Sequence, residues 1–262
     1  MQILYAAIIL GGAGLVCGLL LALAAKYLSV EVDERIEKIT ELLPGANCGG
    51  CGYAGCSAYA AAVFAGEAAP DCCSAGGATV VEGIAEIMGI SASARQQMVA
   101  TVLCQGTYNA AVLRYEYEGI DDCYAAARLG GGQKACAYAC LGLGSCVKAC
   151  PFGAIAVENG VARVDKEKCT GCGACVKACP KSVIALIPED VKYYVGCSSK
   201  NKGAAMKDKC TVGCIGCRIC EKNCPSQAIS VNDNLAVIDY AKCTGCGVCA
   251  EKCPKKIIVE RV

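Results

Sequence analysis

The chain opens with a stretch that has no charge. Ile3 to Ala25 contains no acidic or basic residue. As a helix rising 1.5 Å per residue it would extend about 34 Å, enough to cross a hydrocarbon core of about 30 Å. Ala22-Leu23-Ala24 resembles a leader cleavage site, but no basic residue precedes the run and it is longer than a leader's apolar region. Small residues recur three and four apart along one face (Ala7, Gly11, Gly14, Gly18, Ala22 and Ala25), a spacing that lets a second helix approach closely in lipid. Cys17 counts there as a small apolar residue. Lys26 follows the run, which favours a cytoplasmic position for what comes after.

From Glu31 to Leu43 the pattern becomes helical and amphipathic. Val32, Ile36, Ile39 and Leu43 share one face, and Glu31/Arg35 and Glu34/Lys38 are four apart. Pro44-Gly45 ends this stalk helix. Two later stretches alternate with period two. AIAVENGVARVD (154–165) turns at Asn159-Gly160, a two-residue hairpin signal, and AISVNDNLAVIDY (228–240) repeats the layout with a looser turn. Between these short apolar segments lie cysteines rather than a conventional core.

The 262 residues include 26 Cys and no His. Such a cysteine fraction in a short secreted chain would mean disulfides; here the spacings are those of metal ligands, implying thiolates in a reducing compartment. Without histidine there is no Rieske centre, no His-ligated haem, no Cys/His zinc finger and no histidine general base. Four-thiolate zinc ribbons and disulfides remain the alternatives. A net charge of +1 gives a nucleic-acid partner no electrostatic support.

Cys169-Thr-Gly-Cys172-Gly-Ala-Cys175-Val-Lys-Ala-Cys179-Pro180 has the C-x2-C-x2-C-x3-C-P spacing of bacterial 4Fe-4S ferredoxins, in which the fourth cysteine serves a neighbouring cluster. Cys-Pro pairs occur at 150, 179, 224 and 253, separated by 29, 45 and 29 residues, so the unit is duplicated as two pairs. The crossing rule assigns Cys169, Cys172, Cys175 and Cys150 to one cluster. It assigns Cys214, Cys217, Cys220 and Cys253 to another, and Cys243, Cys246, Cys249 and Cys224 to a third. In the companion of the first of these, Leu143 stands where the middle cysteine belongs, so Cys136 is taken to join Cys140, Cys146 and Cys179. Nearer the N-terminus, Cys48, Cys51 and Cys56 followed by Cys73 form a further site, with Cys73 preferred over the adjacent Cys72. Gly50 to Gly55 matches G-x-G-x-x-G, but no strand precedes it and a ligand lies inside it, which rules against a dinucleotide site. Cys104, Cys123, Cys197 and Cys210 remain. They are expected to close a sixth cluster; free thiols are the alternative, and Cys136 is a second candidate for this site.

CGGCGYAGC (48–56) followed by C-x-x-GG resembles the iron–sulfur domain of the B subunit of the Rnf complex, a membrane-bound, ion-translocating ferredoxin:NAD oxidoreductase. The order of apolar run, this domain and ferredoxin repeats extends the resemblance across the chain, in the long, cluster-rich form. It implies an electron-transfer subunit that takes electrons from reduced soluble ferredoxin and relays them through five or six 4Fe-4S clusters toward membrane partners, some bearing flavin, and finally NAD. No substrate-converting active site, flavin or NAD is expected on this chain. The alternatives are a membrane-tethered polyferredoxin component of another reductase or hydrogenase, and a corrinoid-linked iron–sulfur protein.

The expected architecture is a single transmembrane helix followed by small α+β iron–sulfur domains. The divisions are an anchor at 1–28, the stalk and N-terminal 4Fe-4S domain at 29–92, a connecting segment at 93–134, a first 2[4Fe-4S] ferredoxin domain at 135–190, a connector at 191–212 and a second ferredoxin domain at 213–262. The protein is expected in the cell membrane, single-pass, with its iron–sulfur domains on the cytoplasmic side and partner subunits against the Ala7/Gly11/Gly14/Gly18/Ala22 face.

Overall fold

A computed structural model describes residues 2–27, 33–91 and 96–261, and within the first stretch the side chains at 5, 11, 12 and 14–23. Helix α1 covers Gln2–Tyr27. Its described leucines are exposed, Leu15 and Leu21 at 71% and 70%. Among the described residues no helix is long and apolar enough to cross a membrane. The side chains of Ala7 and Ala25 on the small-residue face lie outside the described residues, as do Glu31 and Val32 of the stalk pattern.

Helix α2 (Glu34–Leu42) starts at Asp33, whose carboxylate accepts from the Arg35 backbone N–H. Lys38 pairs with Glu34 at 3.5 Å as the spacing predicts, and Arg35 pairs with Asp33 at 3.0 Å. The apolar face of α2 is covered by α3 (Cys56–Phe64) and α4 (Gly77–Met88). Ile39, Leu43, Tyr59, Ala60, Val63, Val80 and Ile84 make their shared core. The Arg35 guanidinium lies 4.6 Å from the Phe64 ring centroid, a further tie between α2 and α3.

The rest of the chain is built on four two-stranded antiparallel sheets. β1 (Met98–Val102) pairs with β4 (Ile184–Pro188), and β2 (Ile155–Glu158) with β3 (Val161–Val164). β5 (Tyr193–Val195) pairs with β8 (Ile258–Glu260), and β6 (Ile229–Asn232) with β7 (Leu235–Ile238). Each ferredoxin lobe therefore has a hairpin in the middle and a long-range pair joining its two ends. β1 and β5 arise in the segments expected to be connectors. The β2–β3 turn places Asn159 and Gly160 at φ +45° and +75°. The β6–β7 turn is no looser: Asp233 and Asn234 take φ +49° and +63° in an equally tight two-residue turn. Asp and Asn tolerate the left-handed region well enough to replace Asn-Gly.

Six short helices follow, five of which, all but α8, carry one cysteine each. They are α5 (Cys123–Arg128), α6 (Ser145–Lys148), α7 (Ala174–Lys177), α8 (Gly203–Lys207), α9 (Ile219–Lys222) and α10 (Val248–Lys252). The two lobe cores mix small aliphatic side chains with cysteine. Val161, Val183 and Ile184 pack with Cys104, Cys136, Cys140, Cys146 and Cys175 in one. Ile229, Val231, Ile257 and Ile258 pack with Cys197, Cys214, Cys220 and Cys253 in the other.

Candidate metal centres

All 26 cysteines are free thiols. Twenty-four of them fall into six neighbourhoods of four.

The N-terminal cavity is lined by Cys48, Cys51, Cys56 and Cys73, and Cys72 is not in its wall. Asn47 shapes the loop at φ +45°, its Oδ1 accepting from the Cys56 N–H at 2.8 Å. Tyr59 closes the floor, 1% exposed, and its hydroxyl donates to the Ala69 carbonyl. Burial pushes the Tyr59 phenol above its usual range, and burial likewise raises the Cys73 thiol. The G-x-G-x-x-G stretch is the loop that carries Cys51 into this wall.

Cys175 lies beside Cys169, Cys172 and Cys150, the grouping read from the spacing. Burial, reinforced by those thiols, pushes it up to about 11. The Ala100 N–H of β1 donates to the Cys169 sulfur at 3.4 Å, and the Ala154 N–H to Cys150 at 3.4 Å.

The companion site differs from expectation. Cys146, pushed up to about 12 by burial, has Cys140, Cys123 and Cys179 around it, followed by Cys175 of the neighbouring site. The structure therefore brings Cys123, and not Cys136, to the position opened by Leu143. The cause is local. Asp122 caps α5, accepting from the Ala125 N–H at 2.8 Å and from the Ser145 hydroxyl at 3.0 Å. That hydroxyl accepts from the Cys123 N–H at 2.7 Å, so α5 is pinned to the start of α6 and Cys123 stands beside Cys146. These bonds, led by Ala125, hold the Asp122 carboxyl below its usual range. Leu143 packs half-buried against Cys123 and Leu141.

Cys136 goes instead to the cavity between the lobes, lined by Cys104, Cys136, Cys197 and Cys210. Residues 111–113 place two of the four: Ala111 bridges to Cys210, and Leu113 to Lys134, two residues before Cys136. Four backbone N–H groups donate to its sulfurs. Gly106 and Cys140 reach Cys104 at 3.4 and 3.5 Å, while Ser199 and Cys214 reach Cys197 at 3.5 and 3.4 Å. Burial pushes Cys197 up to about 11. Lys134 is 0% exposed, with Nζ donating to the carbonyls of Gly106 and Gly160 at 2.6 and 2.7 Å.

The second lobe follows the spacing. Cys214, Cys217, Cys220 and Cys253 line one cavity. Cys224, Cys243, Cys246 and Cys249 line another. Burial pushes Cys220 up to about 11. The Ala228 N–H donates to Cys224 at 3.3 Å, as Ala154 does to Cys150 in the first lobe. Cys17 and Cys72 belong to none of the six neighbourhoods.

Among the described residues no three Cys, Asp or Glu side chains converge closely enough to hold a single metal ion. Four of the six neighbourhoods wall a cavity.

Comparison with known proteins agrees. Residues 43–75 match the family described as "Putative Fe-S cluster". Residues 132–180 and 213–257 each match a family described as a 4Fe-4S dicluster domain. The chain is 53% identical to the B subunit of the proton-translocating ferredoxin:NAD(+) oxidoreductase complex of Clostridium ljungdahlii, over 86% of this chain and 80% of that one. It is 48% identical to the B subunit of the Na(+)-translocating ferredoxin:NAD(+) oxidoreductase complex of Acetobacterium woodii, over 89% and 71%. It is 41% identical to the B subunit of the ion-translocating oxidoreductase complex of Methanosarcina acetivorans, over 89% of both.

Proposed function

The chain belongs to the B-subunit family of ion-translocating ferredoxin:NAD(+) oxidoreductase complexes, and from that premise we propose that its 24 grouped cysteines hold six 4Fe-4S clusters forming one unbroken electron path. As in its relatives, it serves as an electron-transfer component of such a complex, and its dicluster domains carry that role. The observation that carries the reading is that four cavities are each walled by four thiols, while no three of the described side chains converge on a single-ion site. A zinc–thiolate site draws its four sulfurs to about 2.3 Å from one ion, a convergence that no group of described side chains makes. Once bound, each cluster would take and give an electron.

The protein's own part is to space the sites. Cys172 shares the wall of the N-terminal cavity, where a methyl group on Gly50 would fall 2.7 Å from the Cys172 carbonyl oxygen. Cys175 neighbours Cys146. The Cys140 N–H reaches Cys104, and the Cys214 N–H reaches Cys197. α9 and α10 pack together with their cysteines crossed between the last two sites. This supports the order 48/51/56/73, 150/169/172/175, 123/140/146/179, 104/136/197/210, 214/217/220/253, 224/243/246/249. The 104/136/197/210 site is the joint between lobes.

The uncharged run from Ile3 to Ala25 and the exposed leucines of α1 support reading this helix as a single membrane span that precedes the N-terminal site in the sequence. No Cβ at Gly11, Gly14 or Gly18 would meet another atom within 4 Å, leaving that face open to a helix of another component of the complex. Reduced ferredoxin then delivers electrons at the far lobe, on the cytoplasmic side, and they leave near the membrane toward the NAD-reducing partners. The test is ferredoxin-dependent NAD reduction by membranes holding the whole complex. Changing both Cys197 and Cys210 to Ser should abolish it while the complex still assembles; undiminished turnover would overturn the path.

A further inference from the structure

Lys134 is the one buried charged side chain among the described residues. Its ammonium meets two carbonyls and lies 5.3 Å from the Tyr108 ring centroid. No carboxylate comes within ion-pair distance of it among the described residues. Cysteine sulfurs face it, Cys104 first, then Cys140, Cys210 and Cys136, and Gly106, whose carbonyl accepts from its ammonium, donates its own N–H to Cys104. A buried cation without a counter-ion is costly, so its place beside these sulfurs calls for an anionic partner there. Three of the four belong to the joint.

We propose that Lys134 is a fixed counter-charge that raises the reduction potential of the cluster at 104/136/197/210 above those on either side, making the joint the place where electrons collect between the lobes. The inference rests on the reading that those four cysteines hold a cluster. Reduction adds one negative charge, and a cation held in low-dielectric surroundings favours the reduced form. The four N–H groups aimed at Cys104 and Cys197 act in the same direction. Burial alone would act oppositely, by disfavouring added charge, and Lys134 offsets it. Three sulfurs of the joint face Lys134 against one of Cys140's site, so that site should feel the charge less. Lys134 touches no substrate and acts through the cluster as a positioning residue.

The test is an EPR-monitored redox titration of the full iron-loaded chain, with iron counted on each sample. In the unaltered chain the first signal to appear on reduction should be one that Cys210→Ser alters or removes. In Lys134→Met that signal should move to lower potential and appear together with or after its neighbours, at unchanged iron content. Lys134→Arg should restore the original order. A Lys134→Met chain with full iron and an unmoved signal overturns the proposal. So does a first signal indifferent to Cys210→Ser, a result that stands even if Lys134→Met fails to load. About 20 iron in the unaltered chain would instead remove the cluster reading beneath it.

Discussion

At the scale of single residues, the chain turns on which cysteine stands beside which. The ferredoxin spacing made most groupings legible from sequence, because three ligands two residues apart leave little freedom. It failed where Leu143 interrupts the motif. Sequence proximity favoured Cys136 for the vacancy, yet the Asp122–Ser145 bonds bring in Cys123 from farther away. A capping aspartate directly before a cysteine was the available signal, but nothing local says which helix that cap will touch. Paired substitutions separate the two groupings. Cys123→Ser with Cys179→Ser should remove about four iron atoms, since both would empty one site, whereas Cys136→Ser with Cys179→Ser should remove about eight. The reverse pattern would restore the spacing-based assignment.

The same residues set a pH response. In the iron-free chain, burial raises Cys146 to about 12 and Cys175, Cys197 and Cys220 to about 11, from an ordinary 9.0. These folded-state values lie above the unfolded ones, so the thiols contribute stability that is fully present below pH 9 and lost as pH rises toward 11 to 12. Cluster ligands carry no proton, so the loaded chain should not share that loss. Anaerobic melting of both forms between pH 8 and 11 should therefore show a midpoint that falls faster for the iron-free chain. Parallel curves would contradict it.

At the scale of elements, the hairpins were readable from alternation and turn residues, whereas β1 and β5 were not. Each is short, and each finds its partner at the far end of a lobe, a pairing that no local pattern encodes. Their effect is to fasten the joint, because β1 runs directly into Cys104 and β5 into Cys197. Close backbone approaches hold these pieces together. Gly142 sits at φ +73° with the Gly160 backbone where a Cβ would stand. Gly142→Ala should cost about 1–3 kcal/mol or more from strain and crowding. Denaturant unfolding of the loaded chain would register it as a lower midpoint; an unchanged midpoint would mean the turn can shift freely.

At the scale of the whole molecule, the proposed electron path follows neighbouring thiol groups that share a wall, a helix pair or an N–H···S contact. The sequence already carried the class of chemistry and the family. It did not carry the order, since the joint is assembled from residues between 104 and 210. The proposed membrane anchor is the other end, α1: removing residues 1–27 should release the protein from the membrane fraction with its iron intact, and a truncated chain still bound to membranes would mean that other surfaces anchor it.

The central claim is that six groups of four thiols each hold a cluster, the joint included. The most direct test is the iron, acid-labile sulfide and zinc content per chain of protein purified without oxygen. Six loaded sites would give about 24 iron with equal sulfide and negligible zinc, falling to about 20 in the Cys197→Ser/Cys210→Ser chain. About 20 iron in the unaltered protein would break the path at the joint, and stoichiometric zinc with little iron would contradict electron transfer altogether.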